Sequence, residues 1–388
     1  MKIVFTGGGT GGHFYPIIAI AEAIRAEARE RDLLDPELYF VSSKPFDAQA
    51  LFANGIAFIQ CPAGKVRRYF SLANISDLFV TVWGTLRAIG ILFSIYPDVV
   101  FSKGGYASVP TILAAHFLRI PIVIHESDAK PGRANILAAR YAYRIGVAFD
   151  SVAEYLPLKS RPNIARVGIP VRAALVHPEV EGAKQLLGLD PELPTVLILG
   201  GSLGSSRIND MVIGGLNELM AIANVIHQTG KDNFKEVEAE SSVILEKSEH
   251  KNRYHAFPYL SAESLRQAAS AADIIVSRAG SSTINEISLW SKPAILIPIP
   301  ESVSHDQRTN AYAYARTGAA VVLEEENMSP HVLVSEVHRI LTTPGVAESM
   351  AQHSSSFANP DAARSIADEL ITIGLSHDPD NKDIMKSV

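Results

Sequence analysis

Three glycine-rich runs are the parts of this sequence best suited to chemistry. GGGTGGH, residues 7–13, follows the apolar run KIVFT and precedes a helical pattern. Backbone N–H groups and a helix N-terminus there can face an anion or a closely packed substrate. GGSLG, residues 200–204, follows TVLIL in the same manner and leads toward Ser205, Ser206 and Asn209. Ser202 adds a hydroxyl donor, and a helix dipole stands behind the loop, which makes this the better phosphate cradle. SRAGSSTINE, residues 277–286, repeats the pattern. Ser281 or Ser282 is expected to cap a helix with Glu286 in its first turns, where a carboxylate can accept two hydrogen bonds from a ribose diol.

The first loop also satisfies GxGxxG through Gly7, Gly9 and Gly12. A dinucleotide fingerprint needs an acidic residue at the end of the second strand, and that strand ends Phe40, Val41, Ser42, Ser43. Glycine loops divided between two sheets instead suggest a diphosphate nucleotide on one domain and a second substrate on the other, hence a transferase. Such a reaction needs a base and a stabilised leaving group. His13, at the end of the first loop, has a side chain with an unperturbed pKa near 6.5, suited to proton transfer at neutral pH, and is the first choice. Glu126 and Asp128 are alternative bases. The sole Asp-x-Asp triplet lies at residues 378–380, and the 12 histidines form no HExxH pattern. No metal and no cofactor are therefore expected, and backbone N–H groups, helix dipoles and Arg172 are expected to meet the leaving charge.

The elements that must position these residues alternate. Apolar, β-branched runs at 2–6, 38–42, 98–102 and 122–125 are interleaved with helical patterns at 17–26 and 111–118. The series restarts at 195–199 and continues at 224–228, 273–277, 294–298 and 319–323. This alternation predicts an α/β fold of two doubly wound, Rossmann-like parallel-sheet domains facing across a cleft. The expected division is 1–166, 167–355, a C-terminal helix within 356–375 packing back on the first domain, and a frayed tail at 376–388, because Gly168 and Pro170 interrupt both series. A length of 388 residues fits two domains. A net charge of -6 argues against nucleic acid as the main partner, and a single cysteine, Cys61, excludes an internal disulfide.

Taken with SKGGYASVP at 102–110, HES at 125–127, VGIPVR at 167–172, HQTG at 227–230 and HDQRTNA at 305–311, the three loops resemble the motifs of the MurG family, in that family's order. These are metal-independent, inverting glycosyltransferases of GT-B fold that transfer N-acetylglucosamine from UDP-GlcNAc to the MurNAc C4 hydroxyl of lipid I, giving lipid II for peptidoglycan. The resemblance implies donor contacts at Thr10, Gly11, Gly12, Arg172, Ser202, Gly204, Asn209, Arg278, Glu286, Gln307 and Asn310. It implies acceptor contacts at Tyr106, His125 and Asn135, with His13, Glu126 and Asp128 in the same cleft. The family's usual HEQN is HESD here, so Ser127 and Asp128 replace amides and the acceptor hydrogen bonds must differ.

A lipid-borne acceptor implies work at the cytoplasmic face of the membrane, as a peripheral protein, and a place in a cell-wall synthesis complex. Lys65, Arg67, Arg68, Phe70, Leu72, Ile75 and Phe79 are expected to dock on anionic lipid. The continuing stripe Val82, Trp83 and Leu86 is expected to pack on the sheet. Residues 79–101, interrupted by Arg87, Pro97 and Asp98, are expected not to span a bilayer, and the start MKIVF is expected to remain in the mature chain. Three rivals share part of the pattern: a UDP-GlcNAc 2-epimerase, a non-catalytic sugar-nucleotide-binding scaffold, and a transferase acting on diacylglycerol.

Overall fold

The computed structural model of the chain describes residues 1–8, 11–65, 73–176, 180–201, 204–300 and 305–376. Its central strands are short apolar runs buried on both faces, as parallel sheets covered by helices require. The strands of the first unit are β1 (Lys2–Thr6), β2 (Glu37–Ser42), β3 (Ile56–Gln60), β4 (Val99–Ser102), β5 (Ile122–Glu126), β6 (Arg144–Val147) and β7 (Ile164–Arg166). They form one parallel sheet in the order β3-β2-β1-β4-β5-β6-β7. The second unit holds β8 (Thr195–Leu199), β9 (Asn224–Gln228), β10 (Tyr254–Phe257), β11 (Ile274–Ser277), β12 (Ala294–Leu296) and β13 (Ala320–Val322), ordered β10-β9-β8-β11-β12-β13. Strands β3, β6, β7 and β10 go beyond the sequence expectation. They lie toward the sheet edges, where shorter or more polar runs such as Arg144–Val147 suffice.

Strand order reverses between β1 and β4, and again between β8 and β11. At such a switch point the loops leaving two neighbouring strands diverge to opposite faces and open a crevice at the strands' carboxyl ends. The loop beginning at Gly7 and the Lys103-Gly104-Gly105 turn therefore flank one crevice. GGSLG and the turn at Arg278 flank the other.

The units divide as Met1–Arg172 with Asn359–Val388, and Ala173–Ala358. The outgoing boundary thus falls after Arg172 rather than after 166, because 167 and 168 stay bonded to the first sheet. Val167 N donates to Val147 O, and His125 Nε2 donates to Gly168 O at 2.7 Å. The returning helix, Ala362–Ser376, packs Ile366, Leu370 and Ile371 into the first-unit core beside Ile3, Phe5, Ile17 and Ile24. Arg364 Nε meets the buried Glu27 at 2.5 Å from this helix, while Arg31 meets the same carboxylate at 2.9 Å. The expected tail lies, from residue 377 onward, outside the described residues.

Helix Ala73–Ile95 departs from expectation. It buries a narrow stripe, Gly84, Ala88, Leu92 and Ile95, at the i, i+4 spacing of one helix face. A Cβ at Gly84 would sit 2.0 Å from Pro62 O, so this glycine lets the helix approach that backbone. One stripe of small and apolar residues leaves the rest outward. Val82, Trp83 and Leu86 are exposed, Trp83 by 63%, and do not pack on the sheet. Ser76–Ile95 is also long and apolar enough to cross a membrane by length and composition, with mean hydropathy 1.8, so the interruptions at Pro97 and Asp98 fall beyond the helix rather than within it.

Candidate active site

At the first crevice the glycine loops meet backbone to backbone. Gly104 and Gly105 have φ of +87° and +82°, and a Cβ at Gly105 would lie 2.6 Å from Gly8 O. No side chain fits there. Ser42, where a dinucleotide site would place its acidic residue, instead donates its hydroxyl to Gly7 O at 2.7 Å. The end of β2 is thus a fastening for the glycine loop. Thr10 lies outside the described residues; Gly11 and Gly12 open the helix Gly11–Glu30, with Gly12 exposed and His13 half-buried.

Around His13 the crevice holds an unusual density of titratable groups. Burial, then the positive charge of Lys103, lowers the His13 pKa to about 4, and Asp128 opposes this. The imidazole is therefore neutral at physiological pH. Glu126 is buried and its two oxygens accept three hydrogen bonds: from Asp128 N at 3.0 Å, Gly132 N at 3.0 Å and Asn135 Nδ2 at 2.9 Å. Burial and the neighbouring Asp128 raise its pKa, and Lys103 and these hydrogen bonds lower it. The geometry gives Glu126 the work of bracing the loop between β5 and helix Arg133–Ala138. Asn135 Nδ2 also donates to His125 O at 3.1 Å, while its Oδ1 is buried without a hydrogen-bond partner, beside Gly104. His125 Nε2–H is committed to Gly168 O, so Nδ1 carries no proton; burial and Lys103 hold this imidazole well below its ordinary pKa.

Lys103 is the residue that sequence reasoning passed over. It is wholly buried, its pKa is lowered by burial to about 8 against the pull of Glu126 and Asp128, and its ammonium donates to Ser127 Oγ. The signal was present in SKGG, a lysine where a strand end enters a glycine turn, but sequence alone did not show that it points inward. Tyr106 is half-buried, with Lys65 Nζ 5.1 Å from its ring centre. Arg172 stacks its guanidinium 4.8 Å from the Tyr15 ring centre.

The second crevice is built by β9 as much as by the glycines. Gln228 Nε2 donates to Gly201 O at 3.1 Å, and Asn209 Nδ2 donates to Thr229 O at 3.1 Å. Asn209 Oδ1 must then accept from His227 Nε2, and His227 Nδ1 accepts from Tyr254 Oη at 3.0 Å. Burial pushes His227 down to about 3, consistent with this neutral tautomer. The HQTG run thus clamps Gly201 and Gly204. Gly204, at φ +78°, has Thr229 O where a Cβ would be, 2.2 Å away. Ser202 lies outside the described residues.

Arg278 turns inward. It donates to Ser205 Oγ and pairs with Glu325, both at 2.6 Å, and reaches Ile297 O at 3.2 Å, tying together the loops after β8, β12 and β13. The helix Ser281–Leu289 is capped by Gly280 in extended conformation rather than by Ser281 or Ser282, which fall inside its first turn, and no side chain caps it. Half-buried Glu286 sits in its second turn. Gln307 Oε1 accepts from Ile299 N at 3.3 Å, and Asn310 is buried on helix His305–Ala315. Among the described residues, no group of three or more His, Cys, Asp or Glu is arranged to hold a metal ion.

Residues 3–147 match the model of the glycosyltransferase family 28 N-terminal domain, and residues 195–366 that of its C-terminal domain. The UDP-N-acetylglucosamine--N-acetylmuramyl-(pentapeptide) pyrophosphoryl-undecaprenol N-acetylglucosamine transferase of Treponema denticola is 34% identical to this chain, over 97% of this chain and 99% of that one. The chain belongs to the MurG family. A transferase of the same name from Clostridium kluyveri is 35% identical, covering 87% and 91% of the two chains. Among solved structures, MurG of Acinetobacter baumannii superposes with a TM-score of 0.74 at 24% identity, covering 96% and 99%. The UDP-GlcNAc 2-epimerase of Neisseria meningitidis bound to UDP-GlcNAc gives 0.69 at 13%, covering 96% and 100%. Both are likenesses of fold.

Of the membrane residues expected from the MurG resemblance, Arg67, Arg68, Phe70 and Leu72 lie outside the described residues, as does the side chain of Ile75; Lys65 and Phe79 are exposed. Leu78, Val82, Trp83, Leu86 and Phe93 are likewise exposed along helix Ala73–Ile95.

Proposed function

We propose that this protein transfers GlcNAc from UDP-GlcNAc to the MurNAc C4 hydroxyl of undecaprenyl-diphospho-MurNAc-pentapeptide, with inversion, forming lipid II. The observation that carries this is 34% identity to a transferase named for that reaction across 97% of the chain, both domains included.

The donor belongs to the second unit. Backbone N–H groups of GGSLG and the uncapped start of helix Ser281–Leu289 meet the diphosphate, and Glu286 binds the ribose diol. Ser202, Gln307 and Asn310 complete the donor contacts, while Arg278 and Asn209 hold the loops in shape. The same N–H groups stabilise the charge that develops on departing UDP. The acceptor belongs to the first unit, where the unpartnered Asn135 Oδ1 offers a hydroxyl an acceptor. His13, neutral at physiological pH, takes the proton from the attacking C4 hydroxyl. A single displacement inverts the α-linked donor to a β-linked product. The enzyme works at the cytoplasmic membrane face, docked through the exposed apolar side of helix Ala73–Ile95 and the basic segment before it.

The test is a transfer assay with labelled UDP-GlcNAc and a soluble lipid I analogue, with and without chelator. A disaccharide product in both arms is expected. Conversion of UDP-GlcNAc to its C2 epimer without acceptor would make the protein an epimerase, binding without turnover would make it a scaffold, and loss of product with chelator would refute the metal-free mechanism.

A further inference from the structure

Three consecutive glutamates, Glu324, Glu325 and Glu326, follow β13, outside every motif through which the family resemblance is carried. The fold gives them separate duties. Glu324 accepts from Arg308 Nε and Tyr312 Oη, both at 2.8 Å, and Glu326 is exposed. Among the described residues, Glu325 is the one of the three that pairs with Arg278, at 2.6 Å, the two side chains being 19% and 14% exposed. A pair so shielded from water is held more firmly than a surface pair, and removing one partner strands the other charge. Arg278 Nη1 takes this carboxylate together with Ile297 O at 3.2 Å, and Nη2 donates to Ser205 Oγ at 2.6 Å. A guanidinium is a rigid planar fork, so fixing one nitrogen aims the other. Ser205 Oγ also accepts from Ile208 N at 3.3 Å, as the N-cap of helix Ser206–Gly214. Both acceptor positions of the hydroxyl are then filled and its rotation is fixed. The two ends of GGSLG converge on Ser205: it follows Gly204, and a Cβ at Gly200 would lie 2.9 Å from Ser205 N.

We propose that Glu325 is a positioning residue for donor binding: through Arg278 it pins Ser205, and with it the two ends of the loop that meets the diphosphate. This rests on the donor lying in the second unit, as proposed above. A guanidinium whose charge is met by a carboxylate at 2.6 Å serves as a brace and not as a phosphate ligand. Two other accounts of Glu325 give an effect of opposite sign. If it held back an arginine that would otherwise bind the diphosphate, or merely repelled an anionic ligand, its removal would tighten binding.

The experiment is a calorimetric titration of the full chain with UDP, and with uridine by displacement of UDP. Glu325→Ala should weaken UDP at least about threefold and leave uridine within about twofold, because the ribose is met by Glu286 and only the diphosphate faces GGSLG. A general loosening of the domain would weaken both alike. Glu326→Ala, which removes the same charge from the same turn, should change neither affinity. Arg278→Met should weaken UDP in its turn, and Glu325→Ala added to it should do no further harm, since the glutamate acts through the arginine. Ser205→Ala, with the same split between UDP and uridine expected, serves if Glu325→Ala does not fold. An unchanged or tightened UDP affinity in Glu325→Ala, or in Ser205→Ala where the former does not fold, overturns the proposal, as does an equal loss for uridine. Wild type that binds UDP yet forms no disaccharide would sink the transferase reading and leave this one standing. Wild type that forms disaccharide with a UDP affinity indifferent to Glu325 would do the reverse.

Discussion

At the scale of single residues, what distinguishes this site is the protonation state that burial imposes. His13, His125 and His227 are all held below the ordinary histidine value, first by desolvation. The unfolded chain takes up protons at these positions below about pH 6.5, while the folded chain resists until about 4 at His13 and about 3 at His227. The unfolded state binds more protons in that window, so stability present above pH 6.5 is lost as pH falls through it. Glu126, raised by burial, works in the opposite direction. Thermal melts from pH 7 to 4 should show the midpoint dropping by about 5 °C per pH unit, and a flat profile would mean the imidazoles are solvated. Glu286 is the second residue with a decisive test. Glu286→Ala should weaken UDP binding about 10- to 100-fold by calorimetry, the cost of a charged hydrogen bond to the ribose, and unaltered affinity would remove it from the donor site.

Two elements carry the next level. Gly201 and Gly204, on either side of residues 202–203, are held against β9 through Gln228, Thr229 and the Asn209–His227–Tyr254 chain. Gly204→Ala would press a methyl into Thr229 O at a φ that disfavours side chains. The loop must move, so UDP affinity should fall at least about tenfold and stability by about 1–3 kcal/mol, read by calorimetry and urea melts. Helix Ala73–Ile95 exposes an apolar face along most of its length, beyond the Lys65–Phe79 stretch that sequence favoured. Replacing both Trp83 and Leu86 with Ser should reduce sedimentation with anionic vesicles at least about fivefold while turnover of a soluble acceptor is kept. Equal sedimentation would place docking elsewhere.

At the scale of the whole molecule, the chain visits the second unit and returns, and its last helix completes the first unit's core. Leu370, fully buried there, should cost about 2–5 kcal/mol when replaced by Ala, measured by denaturant melts. A cost below about 1 kcal/mol would mean the helix is an appendage. The sequence pattern leads to a C-terminal helix that packs back on the first domain, and the tertiary contacts show which side chains do so, beside a strand, β1, more than 350 residues earlier in the chain.

Much was legible in the sequence because local physics dictates it. Continuous apolar runs such as Thr195–Leu199 are strands buried on both faces, and glycines at fixed offsets mark turns where backbone meets backbone. Nine of the thirteen described strands, the three glycine loops and the family resemblance followed from these patterns. What the sequence could not supply was which face each residue presents. Lys103 could have been solvated, Arg278 could have faced a phosphate, and Trp83 could have packed inward; the fold buries the first, ties the second to Ser205 and Glu325, and leaves the third outside. Direction depends on residues distant in the chain, such as Ser127 for Lys103 or Pro62 for the helix bearing Trp83, and burial and charge pairing are settled only when those distant residues are brought together.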